Sequence, residues 1–347
     1  MSTDKKSQLL TGLRLERALA SGRFTEGRFR NTGEFYPRLK GSPLPLMGEY
    51  VFGGRDRVPK QPLPIENPLP FWLNRPNSSM RVTWLGHSTV LLEIDGFRVL
   101  TDPVFGERAS PFSFAGPKRF HPPPVRIEAL PPIDLVIISH DHYDHLCYES
   151  VMALAKRQVP FVTSLGVGAR LEAWGIPSER ITELDWWESH LIGGGRMAVT
   201  ATPAQHFSGR SLGDRNVTSW AGWAVRTDNH RIFFSGDTGL TEEFREIGKR
   251  LGPFDLIMLE IGAFHELWGD IHLGPENALK AMTMLGGGLL LPVHWSTFSL
   301  ALHAWQEPAE SLISLAPKYD AKVITPKLGQ VLEPSTFGSS PIWWRET

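Results

Sequence analysis

The chain has very little cysteine, with Cys147 as the one thiol among 347 residues. One thiol cannot form an internal disulfide, and a chain without disulfides is typical of a reducing compartment. The sequence therefore predicts a cytoplasmic protein. We expect Cys147 to pack as a small buried side chain rather than to act as a nucleophile.

Net charge and long apolar runs are also lacking. Lysine and arginine number 36 against 37 aspartates and glutamates, so the formal net charge is −1. Bulk electrostatics therefore gives no reason to expect nucleic acid as a partner. The N-terminal residues lead into no continuous apolar stretch, and we predict neither a signal peptide nor a transmembrane span. Any contact with a membrane would then be peripheral.

Regular periodicity is scarce in the first 80 residues. Apolar residues from Leu9 to Leu19 indicate one short amphipathic helix, and residues 24–76 are rich in proline and aromatics. We predict an N-terminal extension, 1–80, packed on a main domain, 81–347. The extension could contact the core, a partner subunit or a membrane. A homodimer and a transient membrane contact, with the aromatics of 24–76 as the docking surface, therefore stay open.

A histidine cluster follows the apolar run 133–138, which reads as a buried strand. His140, His142, Asp144 and His145 fall within six positions, at the end of a strand where α/β sheets place their ligands. Imidazoles and carboxylates are metal ligands. Because alternate residues of a tight loop project together, His140 and His142 can share one ion while Asp144 and His145 turn to another.

Three further candidate ligands stand where predicted strands end: His206, Asp237 and His294. Seven ligands would make two metal sites, each with room for water. From residue 81 onwards the pattern gives antiparallel strands first and then alternating strands and helices. This order predicts an α/β protein in which two sheets lie between helices.

Several motifs resemble those of metallo-β-lactamase-fold hydrolases, and in particular N-acyl-phosphatidylethanolamine-hydrolysing phospholipase D and its bacterial relatives. Besides the histidine cluster, the stretches that carry this resemblance are 83–89 (TWLGHST), 100–105 (LTDPVF), 108–111 (RASP), 116–120 (GPKRF), 203–210 (PAQHFSGR), 233–239 (FFSGDTG) and 293–298 (VHWSTF). The resemblance covers about residues 80 to 315. It implies an αββα sandwich of two mixed β-sheets flanked by helices.

The resemblance also implies a binuclear zinc centre, with manganese and iron as open alternatives. One metal would take His140, His142 and His206; the other would take Asp144, His145 and His294; Asp237 would bridge both. His87 and Asp102 would be hydrogen-bond partners of these ligands. Two positions depart from the family pattern, which usually has Asn in place of Asp141 and Asp in place of Cys147. Neither is a ligand position.

The chemistry of such a centre favours hydrolysis. Two divalent ions, offset by Asp144, Asp237 and a bridging hydroxide, would keep about one positive charge, suited to a phosphodiester. Asp144, Asp237 and His294 are the predicted catalytic residues. The candidate substrate contacts are Lys118, Arg119, Arg210, Glu260, His265 and His272. Tryptophans near strand ends could line an acyl-chain groove or belong to the core; they are Trp186, Trp187, Trp268, Trp295 and Trp305.

Three functional hypotheses remain open at this point. The first is phospholipase-D-like hydrolysis of an N-acyl phospholipid or another acyl-bearing substrate by metal-bound hydroxide. The second is hydrolysis of a small ester, lactone or cyclic phosphodiester at the same centre. The third is a non-catalytic metal-binding protein, which the full set of seven candidate ligands disfavours.

Overall fold

The computed structural model describes residues 9–33, 56–74, 76, 79–211, 213–265, 268, 270–335 and 341–347. Two seven-stranded sheets form the body of this part of the chain. The strands of the first sheet are β3 (Met80–Gly86), β4 (Thr89–Ile94), β5 (Phe97–Thr101), β6 (Leu135–Ile138), β7 (Phe161–Ser164), β8 (Ile181–Leu184) and β16 (Val331–Leu332). Those of the second are β9 (Ser189–Ile192), β10 (Met197–Thr202), β11 (Gly222–Arg226), β12 (Arg231–Phe234), β13 (Leu256–Glu260), β14 (Leu289–Val293) and β15 (Lys322–Val323).

The two sheets have the same arrangement of strands. The first runs β16-β3-β4-β5-β6-β7-β8 and the second β15-β14-β13-β12-β11-β10-β9. In each, a meander of antiparallel strands is followed by parallel strands joined by crossovers, so both sheets are mixed. The predicted succession of antiparallel strands and then βα units therefore occurs once in each sheet.

Helices cover the outer face of each sheet. Seven α-helices lie in the described residues: α1 (Gly12–Ala20), α2 (Leu69–Trp72), α3 (Tyr148–Ala155), α4 (Gly168–Ala173), α5 (Glu243–Leu251), α6 (Gly274–Met284) and α7 (Glu307–Leu315). Alternate strand residues point to opposite faces, so Leu91 packs in the outer cluster with Val151 and Leu171, whereas Leu92 packs between the sheets. The result is the αββα sandwich that the sequence predicts.

The first helix has an orientation that its leucines do not predict. Leu13 and Leu19 are exposed, at 71% and 61%, whereas Leu10 and Ala18 are buried. The inward-facing side chains of α1 include Arg14, which binds Glu183 and Glu172. Part of the expected apolar stripe is the contact, because Leu10 and Ala18 pack with Trp220 of the main body. The ion pairs of Arg14 add to this contact and leave Leu13 and Leu19 in solvent.

The N-terminal segment is anchored to the main body at separate points. Trp72 of α2 is buried, and its indole N–H donates to Thr83 Oγ1 at 3.2 Å. A short hairpin, β1 (Phe24–Thr25) and β2 (Arg28–Phe29), buries Phe29. Phe35 and Tyr36, two of the aromatics in the expected docking surface, lie outside the described residues. None of the helices in the described part of the chain has both the length and the apolar character needed to cross a bilayer.

Candidate metal centre

The histidines and carboxylates that the sequence predicted as metal ligands lie at one edge of the sandwich. His140 follows β6, His206 follows β10, Asp237 follows β12 and His294 follows β14. Each of these strands is buried, except for the first residue of β12 and of β14, and all four end at the same edge. Parallel strands thereby deliver side chains from distant parts of the sequence to one place.

The backbone at this edge is strained. His87, Asp102 and His294 have φ values of 52°, 31° and 63°, which place them in the left-handed region that costs L-residues of order 1–3 kcal/mol each. At Gly236, one residue before Asp237, φ is 57° and a Cβ would lie 2.7 Å from Ser139 Cβ. Such outliers cluster at functional sites, and here they aim the side chains at a common centre.

The first group of candidate ligands contains His140, His142, His206 and Asp237, with one donor atom from each within 4.8 Å of the others. His142 Nδ1 lies 2.8 Å from His140 Nε2 and 3.4 Å from His206 Nε2. Tetrahedral Zn–N bonds of about 2.0–2.1 Å place neighbouring ligand atoms about 3.3 Å apart. The three nitrogens are therefore spaced as a small tetrahedral cation requires.

The second group contains His87, Asp144, His145 and His294. Asp144 Oδ2 lies 3.3 Å from His294 Nε2, 3.5 Å from His145 Nε2 and 3.1 Å from His87 Nε2. The sequence predicted three of these as ligands and His87 as a hydrogen-bond partner. The geometry places His87 against Asp144 at hydrogen-bond distance, which fits that predicted role.

Asp237 lies between the two groups. Its Oδ2 atom is 3.1 Å from His145 Nε2 and 3.2 Å from His294 Nε2, and 3.7 and 3.8 Å from the Nε2 atoms of His206 and His140. One carboxylate therefore faces nitrogens of both groups, as the predicted bridging role requires.

The outer atoms of several histidines are already hydrogen-bonded. His145 Nδ1 pairs with Asp102 Oδ2 at 2.6 Å, and His206 Nδ1 faces the carbonyl of Ile271 at 3.0 Å. Ser139 Oγ lies 2.9 Å from His140 Nδ1 and donates to Asp102 Oδ2. Such contacts fix the ring orientation and leave Nε2 directed inward, as in metal-binding histidines.

The inward atoms, by contrast, lack normal hydrogen bonds. His145 Nε2, His294 Nε2 and Asp237 Oδ1 are buried and have no hydrogen-bond partner in the described structure. Leaving buried polar atoms unsatisfied costs about 1–3 kcal/mol each. A cation among them would satisfy all three, so the residues present fit a metal centre.

The electrostatics of the cluster also favour a cation. Burial opposes charge on His145, yet the carboxylates of Asp237 and Asp144 raise its pKa well above the ordinary value. Burial would likewise raise the pKa of Asp237, but His145 and His294 lower it well below normal. For His140 and His206 burial prevails and the pKa is lowered, which keeps the imidazoles neutral. Ionised carboxylates and neutral imidazoles are the protonation states that bind metals. Despite burial, the carboxylates also raise the pKa of His294, to about 10, so a cation would have to displace a proton from His145 and from His294.

A third group overlaps the other two: Asp237, Glu260, His272 and His294. Glu260 is fully buried and its Oε2 lies 3.0 Å from His272 Nδ1. Burial lowers the pKa of His272, but Glu260 reverses this and raises it above the ordinary value. His265, the third pocket residue that the sequence suggested, contacts Trp268 and belongs to none of the three groups.

The basic residues among the candidate substrate contacts bind groups of the protein itself. Arg210 Nη1 donates to the carbonyls of Asp141 and Leu146, both at 2.8 Å, and Arg119 Nη1 donates to that of Val104 at 2.6 Å. Lys118 pairs with Glu107 on the surface. A guanidinium committed to carbonyl groups has few donors left for a substrate. Arg119 Nη2 is buried and without a hydrogen bond, so that one donor remains.

Aromatic side chains near the site fall into two sets. Trp295 and Trp305 are buried in the core, and Trp186 and Trp187 pack against it half-buried. Phe112 and Phe114 are instead exposed, at 55% and 79%. The sequence interpretation missed these two, although the stretch SPFSFAGP, two phenylalanines in a loop without periodicity, was the available signal. It also missed Ser139, the serine that joins Asp102 to His140.

The comparisons with known proteins agree with this geometry. The family model "Beta-lactamase superfamily domain" matches residues 97–295, more than half of the chain. An uncharacterised protein of Mycobacterium tuberculosis is 49% identical over 291 residues, which are 83% of this chain and 77% of that protein. The N-acyl-phosphatidylethanolamine-hydrolyzing phospholipase D 1 of Caenorhabditis elegans is 37% identical over 273 residues, 74% of this chain and 77% of the relative.

A solved structure is similar as well. The isothiocyanate hydrolase from Delia radicum gut bacteria has a TM-score of 0.61 and 25% sequence identity, over 73% of this chain and 98% of that one. A UPF0173 metal-dependent hydrolase of Pyrobaculum arsenaticum is 29% identical over 254 residues, 73% of this chain and 100% of that protein. The chain belongs to the β-lactamase superfamily, as a metal-dependent hydrolase with the metallo-β-lactamase fold.

Proposed function

We propose that the protein is a phospholipase-D-like phosphodiesterase that hydrolyses an N-acyl phospholipid, or a related acyl-bearing lipid, on the head-group side and releases a phosphatidic acid. The observation that carries this proposal is the pair of ligand groups around Asp237 Oδ2, in a chain 37% identical to a phospholipase named for that substrate. The single cysteine suits a cytoplasmic enzyme with peripheral membrane contact.

We propose zinc as the metal, in two sites. His140, His142 and His206 would hold one ion, Asp144, His145 and His294 the other, and Asp237 both. Nitrogen and carboxylate ligands with no thiolate suit zinc, although manganese and iron bind similar sets. When bound, such ions lower the pKa of water to about 7 and supply hydroxide at neutral pH.

The protein's own residues would then orient the substrate and move protons. Asp144 and Asp237 would supply the negative charge that holds the cations. His272 is the remaining imidazole beside both groups, with its ring 5.3 Å from that of His206 and 5.2 Å from that of His294. Glu260 favours its protonated form, so His272 is placed to donate a proton to the leaving alcohol oxygen.

A rigid loop beside the centre suits a substrate that resides in a membrane. Phe112 and Phe114 project from a loop that Arg108 braces, donating to the carbonyls of Ser113 at 3.1 Å and Gly116 at 2.6 Å. The base of the loop reaches the site, because Phe120 N donates to the carbonyl of Thr297 at 2.9 Å, three residues after His294. We propose this loop as the membrane contact.

The test is product analysis on a synthetic N-acyl phospholipid with the metal-replete enzyme. Mass spectrometry should find the phosphatidic acid and the N-acyl ethanolamine as the main products. Free fatty acid as the main product, or no lipid product beside rapid hydrolysis of a soluble lactone, would contradict the proposal.

A second candidate is hydrolysis of a small ester, lactone or cyclic phosphodiester. The observation in its favour is the 25% identity to an isothiocyanate hydrolase, a small-molecule enzyme by its name. Turnover of soluble substrates and of lipids, measured side by side on one preparation, separates the two candidates.

A further inference from the structure

Asp141 is a buried negative charge inside the metal-binding loop. It stands between His140 and His142 and is completely buried. The phospholipase-like family that this chain resembles usually has the neutral Asn there. An ionised carboxylate withdrawn from water must be paired or densely hydrogen-bonded to be tolerated. The chain therefore needs a dedicated partner for a charge that an Asn would not introduce.

That partner is Arg170, on α4. Its guanidinium lies 3.2 Å from Asp141 Oδ2 and also pairs with Asp214. The side chains of Arg170 and Asp214 are 17% and 18% exposed, so the network is only slightly open to solvent. One arginine thus joins a carboxylate of the metal-binding loop to a carboxylate of the chain that follows β10.

The same residues clamp two ligand-bearing segments together. Asp141 Oδ1 accepts the backbone N–H of Gly209 at 2.8 Å, and Asp214 Oδ1 accepts those of Arg210 and Ser211 at 3.0 and 2.7 Å. In return, Arg210 Nη1 donates to the carbonyl of Asp141 at 2.8 Å. The contacts run in both directions and fix the two segments against each other.

These segments carry the nitrogen ligands of the first group. His140 and His142 flank Asp141, and His206 lies three residues before Gly209. The separation of His142 Nδ1 from His206 Nε2, 3.4 Å, depends on how the two segments lie against each other. The second group takes His294, which follows β14, and its Asp144 and His145 lie in the same loop as Asp141, where Arg210 also donates to the carbonyl of Leu146. The hydrogen bonds of Asp141 and Asp214 given above go to Arg170 and to residues 209–211, not to a residue of the second group.

We propose that Asp141, Arg170 and Asp214 form a positioning network for the first metal group, so that its disruption weakens metal binding at that group and spares the second. The inference rests on the proposed metal centre. The ionised Asp141 adds attraction for a cation, and Arg170 is the positive charge that lets this carboxylate stay buried. Removing Arg170 leaves Asp141 buried without its counter-charge, which is the costly case. Removing the charge of Asp141 leaves Arg170 paired with Asp214 alone and releases its hold on the metal-binding loop.

The experiment compares D141N, R170M and the double variant D141N/R170M. Asn can still accept from Gly209 but offers an amide N–H to Arg170, and Met removes the guanidinium at similar length. Metals per chain are counted by elemental analysis after loading with zinc, and stepwise zinc affinities are measured by competition with a chromophoric chelator. H206A, which removes a predicted ligand of the first group, identifies the binding step that belongs to that group.

We expect each single variant to weaken the step that H206A abolishes by about 10- to 100-fold, as loss of outer partners of metal ligands does, and to leave the other step unchanged. The double variant should bind zinc more tightly than R170M, because the fully buried charge of Asp141 is removed together with its partner, while the partly exposed Asp214 keeps its backbone hydrogen bonds. Wild-type affinity at both steps in D141N and R170M would overturn the positioning role. Equal weakening of both steps would overturn it too.

A matched pair of residues controls for a general loss of stability. Arg81 and Glu93 form another buried ion pair, at 4% and 5% side-chain exposure, in β3 and β4. Arg81 lies six residues before His87, near the start of β3 and roughly 20 Å away along an extended strand. R81M and E93Q should lower the melting temperature without changing either zinc step. If they change the first step as D141N does, the network has no specific role. Wild-type protein that binds no zinc would instead overturn the proposed function itself.

Discussion

Asp237 is the single residue on which the proposed site depends most. Its Oδ2 atom faces nitrogens of both groups at 3.1 to 3.8 Å. Asp237→Ala should abolish turnover and lower the zinc content at both sites, since it removes the only carboxylate between them among the described residues. Activity and metal content are measured on the same preparation.

Cys147→Ala is the control for that change. The thiol is buried beside Val104 and Phe298, and burial raises its pKa, so it is a poor nucleophile at neutral pH. Turnover of this variant should stay within a few fold of wild type. If loss of the thiol were the lethal change and Asp237→Ala were active, the proposed site would be wrong.

His272 offers a separate prediction, because it can be distinguished from the ligands. His272→Asn should lower kcat by about 10²- to 10⁴-fold, the usual contribution of a general acid, while metal content stays at the wild-type value. Glu260→Gln should lower kcat less and should shift the alkaline limb of the pH–rate profile to lower pH, because Glu260 raises the pKa of His272. A loss of metal in His272→Asn equal to that in H206A would make His272 a ligand instead.

For single residues, the sequence predicted which side chains lie close together, but not which of their atoms are already hydrogen-bonded within the protein. The ligand candidates were recognisable because imidazoles and carboxylates stand at strand ends, a position that the pattern reveals. For Arg210, by contrast, the sequence shows the positive charge but not what the guanidinium contacts. Only the tertiary structure shows that its guanidinium is committed to the carbonyls of Asp141 and Leu146.

Among the structural elements, two turns are joined by one carboxylate. Asp95, in the β4–β5 turn, accepts from Thr227 Oγ1 at 2.6 Å and from the backbone and side chain of Asn229, both at 3.0 Å, in the β11–β12 turn. Burial would raise the pKa of Asp95, yet these hydrogen bonds lower it below its ordinary value. The carboxylate therefore fastens the first sheet to the second at the edge away from the candidate site.

Asp95→Asn should destabilise the protein by about 1–3 kcal/mol at pH 7, because an amide cannot accept all of these hydrogen bonds. A depressed pKa adds stability above the unfolded-state value, near 4, and this stability is lost as the pH falls through the folded-state value. The difference in unfolding free energy between wild type and variant should therefore shrink below about pH 4. Urea denaturation across pH measures it, and a pH-independent difference would contradict the role of the charge.

Strands that are almost completely buried were recognisable in the sequence, whereas strands that are only partly buried were not. The strands β6 and β14, which precede His140 and His294, were predicted because each is an apolar run. Strands β8 and β9 were missed, since they alternate polar and half-buried residues near the sheet edge. The face of α1 was also unpredictable, because its partners Glu172 and Glu183 come from distant parts of the chain.

For the whole molecule, the metal load is the most direct test. Two groups of four candidate ligands, one of which contains Asp237, predict about two transition-metal ions per chain. Elemental analysis of protein purified without chelator should find this stoichiometry, with zinc predominant. A reproducible value of zero would contradict the metal centre, and a value of one would contradict the binuclear form.

Removal of the metal should also lower the stability of the whole domain. The ligands come from strands of both sheets, and a bound ion stabilises the folded state by RT ln(1 + [L]/Kd), about 4 kcal/mol at a thousandfold excess over Kd. Prolonged treatment with a chelator should therefore lower the melting temperature, and zinc should restore it. An unchanged melting temperature after proven metal loss would mean that the sandwich holds its ligands in place without the ion.

The overall architecture was predictable from the order of the elements, whereas the exposure of single aromatic side chains was not. Alternation of strands and helices limits the topology to very few arrangements, so two sheets between helices followed from the pattern. The aromatics of residues 24–76 suggested a docking surface because they lack periodicity; of these, Trp72 is buried against Thr83, whereas Phe71 is 53% exposed. Phe112 and Phe114 are exposed as well. Exposure is decided by packing, which periodicity does not report.

The last prediction concerns how such a surface is used. The rings of Phe112 and Phe114 lie 5.5 Å apart, and the stretch 107–119 around them carries Arg108, Lys118 and Arg119 against Glu107. Two apolar side chains on a positively charged loop suit an anionic phospholipid surface, which they can enter without a membrane span.

The double variant Phe112→Ser/Phe114→Ser should bind anionic phospholipid vesicles at least about tenfold more weakly in a sedimentation assay, because the apolar area that enters the bilayer is lost. Hydrolysis of a soluble phosphodiester should not change, since neither ring contacts the candidate ligands.

Leu73→Ser is the matched control, because Leu73 is 87% exposed but lies away from the site. It follows α2, and the carbonyl of its neighbour Trp72 accepts a hydrogen bond from Arg98 near the start of β5. Equal vesicle binding by wild type and the double variant would exclude the loop as the docking surface, and an effect of Leu73→Ser of the same size would place the contact on the opposite edge of the sandwich.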